Sequence, residues 1–551
     1  MTSRLACAVC LVAACGTSPR ELDATSVPAG GQPALPPAAP ADGTTFATSE
    51  RCDACHGPAG GVMRDAAGRD LSPGALYPAS MMAWSARDPY WLAVWSGERL
   101  DHPGALAAID DLCTRCHAPM GAREQAAAGA AIDFATVTTD PGPAGQLARD
   151  GVGCTTCHQL DPAGLGEPAT YDGAFAIAPG RQLAGPHADP FPMPMRRHVN
   201  YTPVSAPHLT TSELCASCHT VVTRALDADG QPIGPEFNEQ TTYLEWRASA
   251  LARAGVTCQA CHAPTTDADG NLIATKLSPM PPWLGPRSPI GRHLFGGANA
   301  YLLGLLADNQ AWTGGRATAA TLAAAADAAV AMGRTAAGLT ITSAARVDGR
   351  VVADLRVTNL TGHKLPTGYP GRRLWLHVRV LDGAGAVVFE SGQVDDRGHL
   401  IDGAGRRLDP LGTILPHRDR VTAADQVALW EAVQVDRAGA PTHALLAAWA
   451  MGKDDRLLPM GWDPSVADGG RTVPVAVADD PDFGPGSDTV HLDVAAPGAA
   501  RLEVALAFQS VPPAAIEAAV ARATPAAITF GTMTARRPPT PIVLAEASAP
   551  L

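Results

Sequence analysis

The chain has 551 residues, a formal net charge of −13 and 46% hydrophobic residues, which allows about three or four domains with real cores. This acidic balance argues against nucleic acid as a partner, because nucleic-acid binding needs basic patches. Cysteine is the informative residue type. Ten of the 13 cysteines lie between Cys52 and Cys261, and the other three are Cys7, Cys10 and Cys15.

The first residues have the pattern of an export signal. Arg4 precedes an apolar run over residues 5–14, which has the length of a signal core and is too short to span a bilayer. The run ends in Leu-Val-Ala-Ala-Cys-Gly at residues 11–16, which resembles a bacterial lipobox. We predict a lipoprotein-type signal peptide over residues 1–15 with lipidation of Cys15. A plain cleaved signal with an incidental cysteine is the alternative, and either one predicts export to the periplasm, outer membrane or cell surface of a Gram-negative bacterium.

The segment after the signal is rich in Pro, Ala, Gly, Ser and Thr, and includes Gln-Pro-Ala-Leu-Pro-Pro at residues 32–37. Such a composition predicts a flexible chain without a core. We therefore predict a disordered tether over residues 16–48. Directly after a lipidated cysteine, this tether would hold the next domain off a membrane surface.

One pentapeptide, Cys-x-x-Cys-His, dominates the next part of the chain. Its copies are Cys52/Cys55/His56, Cys113/Cys116/His117, Cys154/Cys157/His158, Cys215/Cys218/His219 and Cys258/Cys261/His262. The pattern is the attachment site of a c-type haem, in which two thiols add to the vinyl groups and the histidine becomes an axial iron ligand. A disulfide framework or zinc ribbon would not require a histidine after every second cysteine. We predict five covalently attached haems, numbered in motif order, in a domain over residues 49–300.

The motifs belong to an internal repeat. Leu-Ala-Arg-Asp-Gly-Val-Gly-Cys at residues 147–154 parallels Leu-Ala-Arg-Ala-Gly-Val-Thr-Cys at residues 251–258. The second and third motifs are also separated by nearly the same distance as the fourth and fifth. This predicts two copies of a two-haem unit preceded by the first haem. The alternative is that Gly-Val before Cys is a favoured helix-entry turn. We expect short helices that carry the motifs, joined by long loops.

Each iron needs a second axial ligand or an open face, so the remaining histidines matter. We predict His198, His208 and His293 as distal ligands, because they cluster outside the motifs. The alternative for each is an exposed loop histidine. That alternative suits His187, which follows Gly-Pro, and His102 is a weaker candidate ligand.

Several stretches resemble exported multihaem c-type cytochromes related to the cytochrome c554 group. They lie at residues 80–89, 240–246 and 255–262, and the resemblance extends over nearly all of the mature chain. In that family a Ser-x-His-Ala sequence usually supplies a distal histidine, and this chain has Met82 at that place. The resemblance therefore implies Met82 as an axial ligand of a haem with raised potential. The alternative is that Met82 fills a gap in the core.

The second half of the chain changes character. Residues 301–338 are Ala-rich and predict a helical connector. Apolar residues then alternate along residues 374–380, and Gly and Pro mark turns, which predicts an antiparallel β-sandwich over residues 339–551. The fold class is thus α+β, with a mainly helical and loop multihaem domain followed by the sandwich. Five histidines of this half lack metal-like spacing and are predicted to be surface residues: His377, His399, His417, His443 and His491.

One loop of the sandwich stands out. Residues 359–370 read Asn-Leu-Thr-Gly-His-Lys-Leu-Pro-Thr-Gly-Tyr-Pro, in which Gly and Pro fix an irregular backbone. This loop resembles the same cytochrome family, as do residues 453–459. We predict that His363 reaches across to the haem domain and caps a haem. The alternative is a solvent-facing histidine in a tight connection between strands.

The leading functional prediction is electron transfer along the haems to redox partner proteins, with membrane attachment through the lipid. The rival is an oxidoreductase acting on a small nitrogen or sulfur compound at one open-faced haem. For that rival, haem 1, with Met82 or no ligand opposite His56, is the best candidate site. All five motifs end in His, so a Lys-ligated catalytic haem is not visible. In a third interpretation the sandwich binds a partner or a cell-surface polymer.

Overall fold

The computed structural model describes residues 27–551. The predicted signal peptide, the lipidation site Cys15 and residues 16–26 of the predicted tether lie outside the described residues. The first half consists of short helices and long loops. Its helices are α1 (Asp53–His56), α2 (Pro73–Leu76), α3 (Pro89–Asp101), α4 (Leu106–His117), α5 (Pro119–Ala127), α6 (Phe134–Thr139), α7 (Pro143–Arg149), α8 (Cys154–Cys157), α9 (Met193–His198), α10 (Glu213–Ala216), α11 (Thr242–Arg247), α12 (Ala250–Arg253) and α13 (Cys258–His262).

The five motifs each overlap one of these helices, namely α1, α4, α8, α10 and α13. Regular sheet is sparse in this half. It is limited to a parallel pair and a hairpin: β1 (Gln182–Gly185) with β2 (Thr202–Ser205), and β3 (Val221–Leu226) with β4 (Pro232–Gln240). The longest helix of this half, α3, is capped by Asp88, whose side chain accepts the N–H of Tyr90, and has Pro89 as its first residue.

The predicted tether is wrong for residues 27–48. Leu35 and Phe46 in this segment are only 2% and 1% exposed, and the Leu35 N–H donates to the carbonyl of Trp312 at 2.8 Å. Composition alone could not show this, because the surfaces that cover these side chains come from distant parts of the chain.

Three helices follow the haem region: α14 (Ala300–Asp308), α15 (Gln310–Thr313) and α16 (Ala319–Gly333). They coincide with the Ala-rich stretch, and the Thr318 side chain caps α16 by accepting the N–H of Thr321. Leu322 is fully buried on the inner face of α16. No helix within residues 27–551 combines the length and the apolar character that a bilayer crossing requires.

The sandwich is confirmed and has two sheets. Its strands are β5 (Ala337–Val347), β6 (Arg350–Asn359), β7 (Arg373–Asp382), β8 (Val387–Ser391), β9 (Arg420–Val421), β10 (Leu429–Val435), β11 (Ala450–Asp454), β12 (Ser487–Ala495), β13 (Ala499–Gln509) and β14 (Ile542–Pro550). One sheet has the order β11–β10–β7–β13–β14 with β8 also against β7, and the other has the order β5–β6–β12–β9. Leu355 and Val490 of one sheet share a buried core with Val378 and Leu506 of the other. All pairs are antiparallel except β9 with β12.

Two helices that the sequence analysis did not predict lie between β13 and β14: α17 (Pro513–Ala521) and α18 (Pro525–Arg536). The Thr524 side chain caps α18 by accepting the N–H of Ala527. Phe530 of α18 is fully buried in the same core as Leu92 of α3. The Thr529 hydroxyl donates to the carbonyl of Gln32 at 3.3 Å. This part of the predicted sandwich therefore completes the core of the first half.

Candidate haem-binding site

The motif thiols of different motifs lie side by side. The pairs within hydrogen-bonding reach are Cys52 with Cys154, Cys116 with Cys218 and Cys215 with Cys258. Burial and the nearby Cys218 also raise the pKa of Cys157 to about 12. The first motif therefore lies beside the third, the third beside the fourth, and the second and fifth beside the fourth. The five motifs form one connected group whose spatial order differs from the sequence order.

The first motif joins this group through only one of its two predicted haem-binding cysteines. Cys52 lies just before α1 and meets Cys154, whereas Cys55 lies within α1 and is not part of that thiol pair. Cys55 is half-buried, and Cys261 of the fifth motif is exposed. The thiol contacts therefore do not test the prediction for Cys55, and attachment of a haem at this residue stays a prediction that rests on the motif.

The motif histidines are oriented by backbone carbonyls. The Nδ1 contacts are His117 to Ser85 O at 3.0 Å, His158 to Ala184 O at 2.6 Å and His262 to Gly296 O at 2.6 Å. A carbonyl oxygen only accepts, so Nδ1 carries the proton in each ring and Nε2 keeps its lone pair. This is the arrangement in which an outer partner orients a metal-binding imidazole.

Two further histidines face motif imidazoles. The ring centroids of His158 and His293 are 6.2 Å apart with planes 15° from parallel, and those of His262 and His363 are 6.4 Å apart at 20°. Two imidazoles on opposite axial positions of one iron have centroids roughly 6 Å apart, because each bond from metal to imidazole nitrogen is about 2 Å long. The residues present in both places therefore fit a haem iron held between two histidines.

The two facing histidines, His293 and His363, are oriented and neutral, as a metal ligand requires. His293 Nδ1 donates to Gly291 O and His363 Nδ1 to Lys364 O, both at 2.9 Å. Burial lowers the pKa of His293 to about 4 and also lowers the pKa of His363. Both imidazoles are therefore neutral at pH 7, with Nε2 available as a ligand atom.

Buried charges fix the loop between β6 and β7 that carries His363. Lys364 Nζ lies 2.6 Å from Asp454, and Arg456 Nε lies 2.7 Å from the other oxygen of that carboxylate. Glu245 of α11 accepts the Lys364 N–H at 3.0 Å and pairs with Arg456 at 3.1 Å. Burial alone would raise the pKa of Asp454, but Arg456 and Lys364 hold it well below its usual range. The network joins the haem region to the sandwich directly behind His363.

The other predicted distal ligands do not face a motif imidazole in the part of the chain that the structure describes. His208 Nε2 is buried without a hydrogen-bond partner, whereas His198 is exposed at the end of α9. The carbonyl of Met82 accepts the N–H of Val152 at 3.2 Å, two residues before the third motif. His102 is only 8% exposed. Ligation by these residues stays a prediction.

The second motif has different surroundings. Within residues 27–551 no histidine ring faces His117, on which Trp91 stacks with centroids 4.6 Å apart. Burial raises the pKa of Glu98 to about 7 and that of Glu239 to about 8. Burial and these two carboxyls raise the pKa of the Cys113 thiol well above its usual value. Neither carboxyl was predictable from the sequence, because α3 and β4 bring them together from unrelated segments.

The prediction that the sandwich histidines are surface residues is wrong for His399 and His417. His399 is 3% exposed. The His417 side chain is 8% exposed and its ring nitrogens bond to Asp455 at 2.9 Å and Asp480 at 2.8 Å. No local pattern marks these two histidines, because their partners come from separate segments.

The chain is similar to the solved structure of a pentahaem cytochrome c552 from Thermochromatium tepidum. The TM-score is 0.53 at 18% sequence identity, and the match covers 93% of this chain and 100% of that chain. No protein-family model matches the sequence. No curated protein matches it either. The likeness establishes that the chain has the fold of this pentahaem cytochrome, and it does not single out the cytochrome c554 group.

Proposed function

We propose that this protein is an exported c-type cytochrome that binds five haems covalently and carries electrons along them. The observation that carries the proposal is the pair of facing imidazoles, His158 with His293 and His262 with His363, each beside a Cys-x-x-Cys-His motif. A c-type haem, when bound, supplies an iron that alternates between the ferrous and ferric states.

The residues of this chain have three tasks in the proposal. The motif thiols would hold the cofactors covalently and so prevent their loss outside the cytoplasm. The carbonyls that bind Nδ1 of His158 and His262 fix the direction of each motif imidazole. His293 and His363 would hold the iron from the side opposite each motif imidazole, and two such sites would then offer no position for a substrate.

The arrangement of the motifs supports a connected path. Adjacent thiols place the third motif between the first and the fourth, and the fourth also lies beside the second and the fifth. Cofactors attached to neighbouring thiols would be neighbours themselves. Electrons would then enter and leave at different ends of the group.

Localisation and partners are part of the same proposal. The export pattern before Cys15 supports attachment of haem outside the cytoplasm, and a lipid on Cys15 would hold the protein at a membrane of the bacterial envelope. The formal charge of −13 suits a basic redox partner protein.

The test is a haem count combined with electron paramagnetic resonance of the oxidised, purified holoprotein. We expect the protein mass and the pyridine haemochrome assay to give five haems per chain. The two histidine pairs should give low-spin ferric signals. Replacement of both cysteines of any one motif by alanine, Cys52 and Cys55 for example, should remove one haem. A protein with fewer haems, or one in which all ferric signals are high-spin, would contradict the proposal.

A second candidate function is an oxidoreductase acting on a small nitrogen or sulfur compound. It is favoured by the second motif, where no histidine among the described residues faces His117 and the protonatable Glu98 and Glu239 lie near Cys113. Reduction of such compounds consumes protons, which two carboxyls with raised pKa are suited to donate. Nitrite, hydroxylamine or sulfite should then shift one high-spin ferric signal, and this response should be absent if the protein is a carrier only.

A further inference from the structure

A cluster of buried polar side chains in the sandwich lies apart from the haem motifs. His417 Nε2 is 2.8 Å from Asp480 Oδ2 and 4.0 Å from Asp488 Oδ2. One ligand atom from each of these three residues lies within 4.8 Å of the other two. The geometry is therefore that of three donors converging on one point.

The donors are withdrawn from solvent. The side chains of Asp480 and Asp488 are 1% and 0% exposed, and that of His417 is 8% exposed. Asp488 Oδ2 accepts the indole N–H of Trp430 at 2.7 Å, whereas Asp488 Oδ1 is buried and has no hydrogen-bond partner. A buried carboxylate oxygen without a partner destabilises the fold, and a cation bound beside Asp488 would offset that cost.

A second layer orients the histidine. His417 Nδ1 lies 2.9 Å from Asp455 Oδ2, and Lys453 Nζ lies 3.1 Å from that same oxygen. With Nδ1 bound to a carboxylate, Nε2 is directed at Asp480 and Asp488. A histidine that binds a metal through one ring nitrogen commonly donates its other ring N–H to a carboxylate. Three carboxylates near one lysine also leave a negative charge that a divalent cation would balance.

We propose that His417, Asp480 and Asp488 bind a divalent transition-metal cation of the zinc class. One imidazole and two carboxylates suit such an ion better than calcium, which prefers oxygen ligands only. The ion would join the loop that carries His417 to residues 480–488, which lead into β12. Because Asp455 follows Asp454, which holds Lys364, the site would also brace the loop that carries His363. This inference does not depend on the haem proposal.

The competing explanation is a protonated His417 held by ion pairs alone. The two explanations differ in metal content, so the test uses the purified holoprotein, treated with EDTA, incubated with Zn²⁺ and desalted. Inductively coupled plasma mass spectrometry then gives the zinc content, which is divided by the amount of protein from amino-acid analysis. We expect one zinc per chain in the unaltered protein and about tenfold less in Asp488→Asn and His417→Gln. Asp488→Asn keeps an acceptor for Trp430.

Asp482→Asn is the matched control, because this neighbouring carboxylate is 37% exposed and belongs to a separate, more open group with His491. It should retain the zinc. Absence of zinc from the unaltered protein, or equal zinc in Asp488→Asn, would overturn the proposal and leave ion pairing as the explanation.

A measurement on the unaltered protein avoids dependence on a variant that fails to fold. A ligand that binds only the folded state raises the melting temperature. Addition of Zn²⁺ to the EDTA-treated holoprotein should raise its melting temperature by several degrees, and Asp482→Asn should respond equally. An unchanged melting temperature in the unaltered protein at saturating Zn²⁺ would refute the site.

Discussion

Replacing Lys364 by methionine removes the ammonium group beneath the His363 loop and keeps a side chain of similar length. The Lys364 side chain is 0% exposed and its Nζ lies 2.6 Å from Asp454. Removal of one partner from a buried ion pair costs about 3–5 kcal/mol. Because Arg456 still bonds to both oxygens of Asp454, we expect a loss at the lower end of that range, about 3 kcal/mol.

The loss should be visible in thermal and urea unfolding of the holoprotein, followed by far-ultraviolet circular dichroism. In a domain of roughly 200 residues, each kcal/mol shifts the melting temperature by about 2–4 °C, so Lys364→Met should lower it by about 6–12 °C. Stability should partly return in the double variant with Asp454→Asn, which removes the charge that was left without its lysine.

Arg406→Met is the matched control. Arg406 pairs with Asp402 within one surface turn and its side chain is 70% exposed, so its loss should change stability by less than about 1 kcal/mol. If Lys364→Met destabilises the protein no more than this control does, the buried network does not hold the loop.

Three other substitutions test separate parts of the molecule. His293→Ala should convert one ferric haem from low-spin to high-spin in electron paramagnetic resonance at an unchanged haem count, whereas His187→Ala should not; an unaltered spectrum would exclude His293 as a ligand. Burial raises the pKa of Glu98 to about 7, above its value in the unfolded chain. The contribution of the protonated Glu98 carboxyl to folding stability is therefore fully present below about pH 4.5 and is lost as pH rises through about 7. In urea titrations, Glu98→Gln should therefore raise the free energy of unfolding by up to about 3 kcal/mol at pH 8 and leave it unchanged at pH 4. An equal effect at both pH values would contradict this expectation. Leu35→Ala should lower the free energy of unfolding by about 3 kcal/mol, because it leaves a cavity. If residues 27–48 were a free tether, the same titration would show no change in stability.

The five motifs could be located from sequence because haem attachment depends on residues within one pentapeptide. His293 and His363 were also predicted, as histidines outside the motifs in Gly- and Pro-rich loops. Their pairing with His158 and His262 could not be predicted, since long stretches of chain separate the partners and only tertiary packing brings the rings together.

Helix α18, the ion pairs of Lys364 and the docking of Leu35 were harder to predict from the sequence. The Thr524-Pro525 pair before an Ala-rich run is a helix-start pattern, so α18 was predictable, although its packing on α3 was not. The salt-bridge partners of Lys364 were not predictable, because a buried lysine cannot be told from an exposed one without its neighbours. The docking of Leu35 was hidden for the same reason, since its Pro- and Ala-rich surroundings are typical of linkers.

The contact between Gln32 and Thr529 bears on the order of assembly. These residues are 497 positions apart. A chain synthesised from its N-terminus reaches Thr529 only after all five motifs have been made. The surface that receives residues 27–48 is therefore completed only after the motif cysteines have been synthesised. A chain shortened before α18 would therefore contain all five motifs and lack part of the surface on which residues 27–48 dock.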